Sequence, residues 1–95
     1  MKNVNNHTKQ IMKLKENETY GIDVISKSDS IYHIFVCLED DILIFEPNEK
    51  KYINESAEPC GENEFTSIND KECIKNILTE MYNKMYNDEY NKERW

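Results

Sequence analysis

The densest apolar stretch of the chain is Ile31–Phe45, where β-branched and aromatic residues follow one another without a helical period. The acidic run Glu39–Asp41 interrupts it once, so the pattern predicts two strands joined by a turn. In the first strand, Ile31–Leu38, apolar side chains point to both faces of a sheet, which predicts a central strand covered on both sides. Because the turn contains no glycine, we expect a loop of about three to five residues rather than a two-residue turn.

Shorter patterns flank this hairpin. Residues 20–24 alternate between apolar residues and polar residues or glycine, which is typical of a strand packed on one face. Pro47 is expected to end the second strand of the hairpin, because proline donates no hydrogen bond to a ladder. Residues 51–53 are a candidate edge strand, and residues 54–67, which contain proline and glycine, are predicted to form a long acidic surface loop.

Helical periods occur near both ends of the chain. Thr8 is the candidate cap of a short helix that runs through about Glu16, and residues 1–7 are expected to be frayed. Asn69 and Glu72 have the spacing of a capping box, which predicts one long helix from about residue 70 to residue 92. The apolar stripe of that helix consists of Ile74, Ile77, Leu78, Met81 and Met85. Beside the stripe runs a row of tyrosines at Tyr82, Tyr86 and Tyr90, which either packs against the sheet or forms an aromatic strip for a partner.

These elements predict one α+β domain over residues 1–95. It consists of an N-terminal helix, a three- to four-stranded antiparallel sheet and a long C-terminal helix packed on the sheet. The strands follow one another at hairpin distances, which excludes the long crossovers of a parallel sheet. The chain has no apolar segment suited to a signal peptide or a membrane span, so we expect a cytoplasmic protein.

The search for catalytic and metal-binding residues gives mostly negative results. The sequence contains no phosphate-binding glycine loop and no hydrolase or zinc-protease motif. His33, Cys37 and Cys73 are candidate zinc ligands, but a core histidine beside buried thiols is the interpretation we favour. The cysteines form no Cys-x-x-Cys pair, which indicates reduced thiols, and Cys60 is expected to be exposed and inert. We therefore expect no catalytic residue, no metal, no cofactor and no enzymatic activity.

The acidic residues are concentrated in one part of the chain. The net charge is −7, and residues 39–72 contain eleven acidic residues and three lysines. Such a surface repels nucleic acid and attracts basic protein surfaces. It is also typical of a solubility coat on loops, and the sequence leaves both interpretations open.

Three stretches of the chain resemble the small type II-A anti-CRISPR proteins that inhibit Cas9. They are KLKENETY at 13–20, the strand-turn-strand segment 22–38 with its SKSDS turn, and YNDE at 86–89. The resemblance is to a compact member with a helix, a three-stranded antiparallel sheet and C-terminal helices that occupies the site of the PAM duplex. It implies an acidic phage or mobile-element inhibitor that binds a basic groove of a Cas9-like nuclease and blocks target DNA by mimicry. In that family, acidic groups face the basic PAM-reading region of the nuclease. The resemblance assigns this role to Asp40, Asp41, Asp88 and Glu89 of this chain.

The candidate partner-binding residues combine acidic residues with the tyrosine row: Glu39, Asp40, Asp41, Glu46, Glu49, Tyr86, Asp88, Glu89 and Tyr90. We expect the hairpin residues 39–49 to form the main contact, in a monomer or weak dimer that binds neither nucleic acid nor membranes directly. An immunity protein or antitoxin that neutralises a basic nuclease toxin needs the same acidic surface. A small regulatory module that docks through the tyrosine row is a further alternative, and such a module does not need an acidic surface.

Overall fold

The computed structural model describes residues 3–92, with side chains through Tyr90. Within these residues the elements are α1 (Val4–Ile11), β1 (Thr19–Ile25), β2 (Ile31–Glu39), β3 (Ile42–Lys50), β4 (Glu58–Pro59), β5 (Glu64–Ser67), α2 (Lys71–Tyr86) and α3 (Glu89–Lys92). The strands form one antiparallel sheet, and the helices pack against one of its faces. The predicted α+β class is confirmed.

The central strand of the sheet is β2, as predicted. It pairs with β1 on one side and β3 on the other, while β4 and β5 continue the sheet beyond β3. Glu39 pairs with Ile42, so the β2–β3 hairpin closes through only two residues. These residues, Asp40 and Asp41, have left-handed backbones with φ of 49° and 66°. The expected longer loop is wrong because aspartate tolerates the left-handed region that a primed two-residue turn requires.

The strand β3 continues through Pro47, contrary to the prediction. In an antiparallel strand the N–H and C=O of one residue point to the same side. The carbonyl of Pro47 accepts the N–H of Cys60, so its nitrogen also faces away from β2. The β2–β3 ladder therefore loses no hydrogen bond. On the other edge of β3, β5 pairs with it as far as Phe45 and β4 pairs with it from Asn48 onward. Pro47, which has no N–H to donate, lies in the gap between these two pairings.

The segment that follows β3 also differs from its predictions. Residues 51–55 form turns and bends rather than an edge strand, and Tyr52 and Ile53 are 65% and 81% exposed. The predicted long loop contains the short strands β4 and β5. Cys60 is buried rather than exposed, because its N–H bonds to β3 and draws the turn onto the sheet.

The hydrophobic core lies on one face of the sheet. Tyr32, Ile34 and Val36 of β2 are fully buried there against the helices. Ile22 and Val24 of β1 join them, as predicted. The predicted stripe of α2 is confirmed, since all five of its apolar residues are buried. The opposite side chains of β2 are only half-buried, because α1 and α2 both pack on the first face. The expectation that both faces of this strand are covered is therefore wrong.

The first helix begins and ends earlier than predicted, since it spans Val4–Ile11 rather than Thr8 to about Glu16. Residues 4–7 are helical rather than frayed, and residues 1 and 2 lie outside the described residues. Thr8, the expected cap, lies inside the helix and is fully buried. Its hydroxyl donates to the carbonyl of Val4 at 2.7 Å, which satisfies the polar group within the core. Ile11 is fully buried, whereas Met12 is 36% exposed.

The C-terminal helix differs from its prediction at both ends. Its cap is Asp70 rather than Asn69, because the carboxylate of Asp70 accepts the N–H of Cys73 at 3.1 Å. The helix α2 ends at Tyr86, and α3 is a separate short helix. The cause is Asp88, whose φ of 57° is incompatible with a continuous right-handed helix.

Gly61→Ala is expected to destabilise the protein. A Cβ at Gly61 would lie 2.5 Å from Cε1 of Tyr90, whose ring is buried, so the ring must move. We expect a loss of about 1–3 kcal/mol in the free energy of unfolding, measured by urea denaturation. Gly21→Ala is the matched control, since its Cβ would make an ordinary contact of 3.5 Å with Phe35. Equal effects of the two substitutions would contradict the close packing of Gly61 on Tyr90.

Candidate functional site

Three loops meet at the end of the sheet where β2 turns into β3. The N–H of Asn17 donates to the carbonyl of Leu38 at 3.0 Å, which holds the α1–β1 loop against the hairpin. The N–H of Ile68 donates to the carbonyl of Asp41 at 3.0 Å, which holds the β5–α2 loop on the other side. Backbone hydrogen bonds thus fix both loops to the hairpin turn.

Six exposed acidic residues lie on these three loops or at the end of β2, and we call this group the acidic pole: Glu16, Glu18, Glu39, Asp40, Asp41 and Asp70. The backbone N–H of Asp40 donates to both carboxylate oxygens of Glu16, with N···O distances of 3.1 and 3.2 Å. Within residues 3–90, no lysine forms a salt bridge with these carboxylates. The sequence reasoning selected only the three hairpin residues of this pole. The other three come from segments distant in the sequence, and only the loop hydrogen bonds bring them close.

The opposite end of the sheet holds a polar cluster around Tyr32. The carboxylate of Asp88 accepts a hydrogen bond from the Ser28 hydroxyl at 2.7 Å and one from the Tyr32 hydroxyl at 3.5 Å. The N–H of Lys27 donates to the carbonyl of Tyr86 at 2.9 Å. These contacts join the β1–β2 turn to the junction of α2 and α3. Asp88 therefore stabilises the fold at this point.

Burial and charge shift the pKa values of this cluster. Burial raises the pKa of Tyr32, and the negative charges of Glu49 and Asp88 raise it further. Partial burial also raises the pKa of Asp88, but hydrogen bonds from Ser28, Ser26 and Tyr32 outweigh it. The net result is a pKa below the ordinary value for this carboxyl, so Asp88 is charged at neutral pH.

The predicted tyrosine row is interrupted. Tyr82 and Tyr86 stack on α2 with ring centroids 6.1 Å apart, and Tyr86 is 43% exposed. Tyr90 lies on α3, beyond the break at Asp88, and is only 4% exposed. Its ring lies 6.4 Å from that of Tyr32. Tyr90 therefore belongs to the core and does not extend an aromatic strip for a partner.

The other predicted partner residues lie in separate places. Glu46 is half-buried on β3, and Glu49 is only 9% exposed near Tyr32. Glu89 is exposed but lies at the Asp88 end. The length of β2 separates that end from the acidic pole by roughly 26 Å. The hairpin acids and the acids of the YNDE stretch therefore do not form one cluster.

The candidate zinc ligands are not brought together. His33 lies on the face of the sheet that faces away from the helices, where its Nδ1 is 2.6 Å from Asp23 and its ring stacks on Phe35. Cys73 lies on α2, which packs on the opposite face. Burial raises the pKa of the Cys37 thiol, and Glu39 and Glu46 add to this effect. Among the described residues, no three histidine, cysteine or acidic side chains form a metal-binding group.

Asp88→Asn is expected to lower stability in a pH-dependent way. Asparagine also tolerates a positive φ, so this change removes the charge and leaves the backbone unstrained. Because the pKa of Asp88 is lower in the folded chain, its carboxylate stabilises the fold above the ordinary value of 3.8, and the effect fades as the pH falls through the folded pKa. We expect a difference of about 1 kcal/mol at pH 7 that fades as the pH falls below the ordinary value of 3.8, measured by urea unfolding.

Asp41→Asn is the control for this comparison. Asp41 also has a positive φ, but its carboxylate accepts no hydrogen bond within residues 3–90. A constant difference between wild type and Asp88→Asn over the whole pH range would contradict the role given to the Asp88 carboxylate.

None of the described helices has the length and apolar character to cross a membrane. No protein-family model, no curated protein and no solved structure matches the chain. Among the described residues, the acidic pole is the candidate functional site.

Proposed function

We propose that this chain is an acidic inhibitor that binds a basic nucleic-acid-binding groove of a CRISPR effector nuclease of the Cas9 type and excludes target DNA. The observation that supports this most is the acidic pole. Six exposed carboxylates from three loops and the end of β2 lie at one end of a small domain with a net charge of −7. The resemblance of three stretches to the type II-A anti-CRISPR proteins points to the same class of target.

Because its loops are held in place, the acidic pole is suited to compete with nucleic acid for a basic groove. Backbone hydrogen bonds from Asn17 and Ile68 hold the flanking loops on the hairpin, so little ordering entropy is lost on binding. DNA presents about one negative charge per 1.7 Å of helix axis, and basic grooves are built to meet charge at this density. Carboxylates carried on loops that are held in place meet the same arginines and lysines without any chemical step.

A Cas9-type enzyme has a groove of the required kind. It reads the PAM with a pair of arginines and holds the RNA–DNA heteroduplex in a positively charged channel. Because guide loading assembles this groove, the inhibitor should bind the guide-loaded enzyme better than the empty one. Its action is steric: target DNA is not bound, and cleavage therefore does not occur.

Pre-incubation of the protein with guide-loaded Cas9-type nucleases is expected to abolish binding of target DNA. A mobility-shift assay measures DNA binding directly, and the integrity of the guide is checked on the same samples. Unchanged DNA binding by every nuclease tested would contradict the proposal. Loss of DNA binding through digestion of the guide would also contradict it, because the mechanism is steric. Inhibition of a basic nuclease toxin alone would instead indicate an immunity protein or antitoxin.

The double substitution Asp40→Asn/Asp41→Asn is expected to slow association with the nuclease by about tenfold at low salt and to flatten its salt dependence. Asparagine suits both left-handed positions of the turn, so charge changes while the hairpin is kept. Glu55→Gln/Glu58→Gln removes two exposed charges outside the acidic pole and is the matched control. Association rates are measured by surface plasmon resonance at several salt concentrations. Equal rates for both double variants would show that the acidic pole is not the contact.

A further inference from the structure

Within residues 3–92, one face of the sheet carries no helix, and we call it the open face. Residues that pair directly across strands point to the same face, so the register defines its rows. One row contains Thr19, Cys37, Ile44 and Phe65. The next contains Gly21, Phe35 and Glu46. The centre of the open face is thus formed by Phe35, Ile44 and Phe65.

This centre is apolar and accessible to solvent. Phe65 is 60% exposed, and Ile42 beside it is 42% exposed. Phe35 and Ile44 are half-buried only by their neighbours within the sheet. Tyr52 and Ile53 are exposed as single residues on a turn, whereas the open-face residues are adjacent on paired strands. A contiguous apolar patch rimmed by polar residues is typical of a protein interaction site.

The margins of the open face are mainly acidic. Asp23, Glu39 and Glu46 lie on it by register, Asp23 beside His33 of the same face, and Lys50 lies at its far end. Glu39 also belongs to the acidic pole and pairs with Ile42, so the apolar patch and the acidic pole form one continuous surface.

We propose that the open face is the docking surface of a basic partner protein. An apolar side chain of the partner packs on Phe35, Ile44 and Phe65, and its lysines or arginines meet the acidic margin. A second copy of this chain does not suit the surface, because two acidic margins on chains of net charge −7 would repel each other. The inference goes beyond the nuclease proposal, since it requires only a partner with positive charge around an apolar centre.

The test uses a synthetic amphipathic peptide of leucine and lysine as the probe, titrated into ¹⁵N-labelled protein. We expect amide shifts in β2, β3 and β5 around the apolar centre, and about tenfold weaker binding for Phe65→Ser. Ile42→Thr is a second variant that keeps a β-branched side chain in the strand. Circular dichroism and urea unfolding check that each variant is folded.

Ile53→Ser is the matched control, because Ile53 is 81% exposed but lies on a turn outside the open face. It should leave peptide binding unchanged, and a leucine–glutamate peptide should not bind. Shifts confined to the acidic pole, or equal binding by wild type, Phe65→Ser and Ile42→Thr, would overturn the inference. A wild-type dimer in sedimentation that is lost in Phe65→Ser would also overturn it, since the occupant would then be a second copy.

Discussion

The register of the β2–β3 hairpin is the constraint on which the rest of the structure depends. A slip of one residue would move every side chain of a strand to the other face. The two-residue turn fixes this register by pairing Glu39 with Ile42. As a consequence Tyr32 and Phe45 enter the core, while Phe35 and Ile44 point outward. The same turn puts two aspartates at the tip, so one local conformation sets the core, the open face and the acidic pole.

The size of the domain explains why its two sheet faces differ. A chain of 95 residues buries only part of the surface that its unfolded form exposes. Both longer helices are used on one face, where α1 and α2 contact each other as well as the sheet. Nothing within residues 3–92 remains to cover the other face. Apolar residues such as Phe65 therefore stay accessible, and the acidic margin around them helps to keep the surface soluble.

Features that depend on the periodicity of apolar residues can be predicted from the sequence. Predictions are wrong where the backbone conformation of a single residue determines the structure. The stripe of α2 and the alternation of β1 follow from periods of 3.6 and 2, and both are confirmed. The longer loop expected at Asp40 and the strand end expected at Pro47 are wrong, because the conformation depends on backbone angles and on the side to which the nitrogen points. The helix break at Asp88 has the same origin, and it removes Tyr90 from the predicted surface row.

The acidic pole illustrates why a functional surface is harder to predict from the sequence than the fold. Glu16 and Asp70 lie far from the hairpin in sequence and reach it only through loop contacts that no period encodes. Holding several like charges at one end opposes folding through self-repulsion, an effect strongest at low salt. The fold tolerates this arrangement because backbone hydrogen bonds, such as that from Ile68 to Asp41, fix the loops. A basic partner would remove the repulsion, so the charge that opposes folding of the isolated chain favours its association.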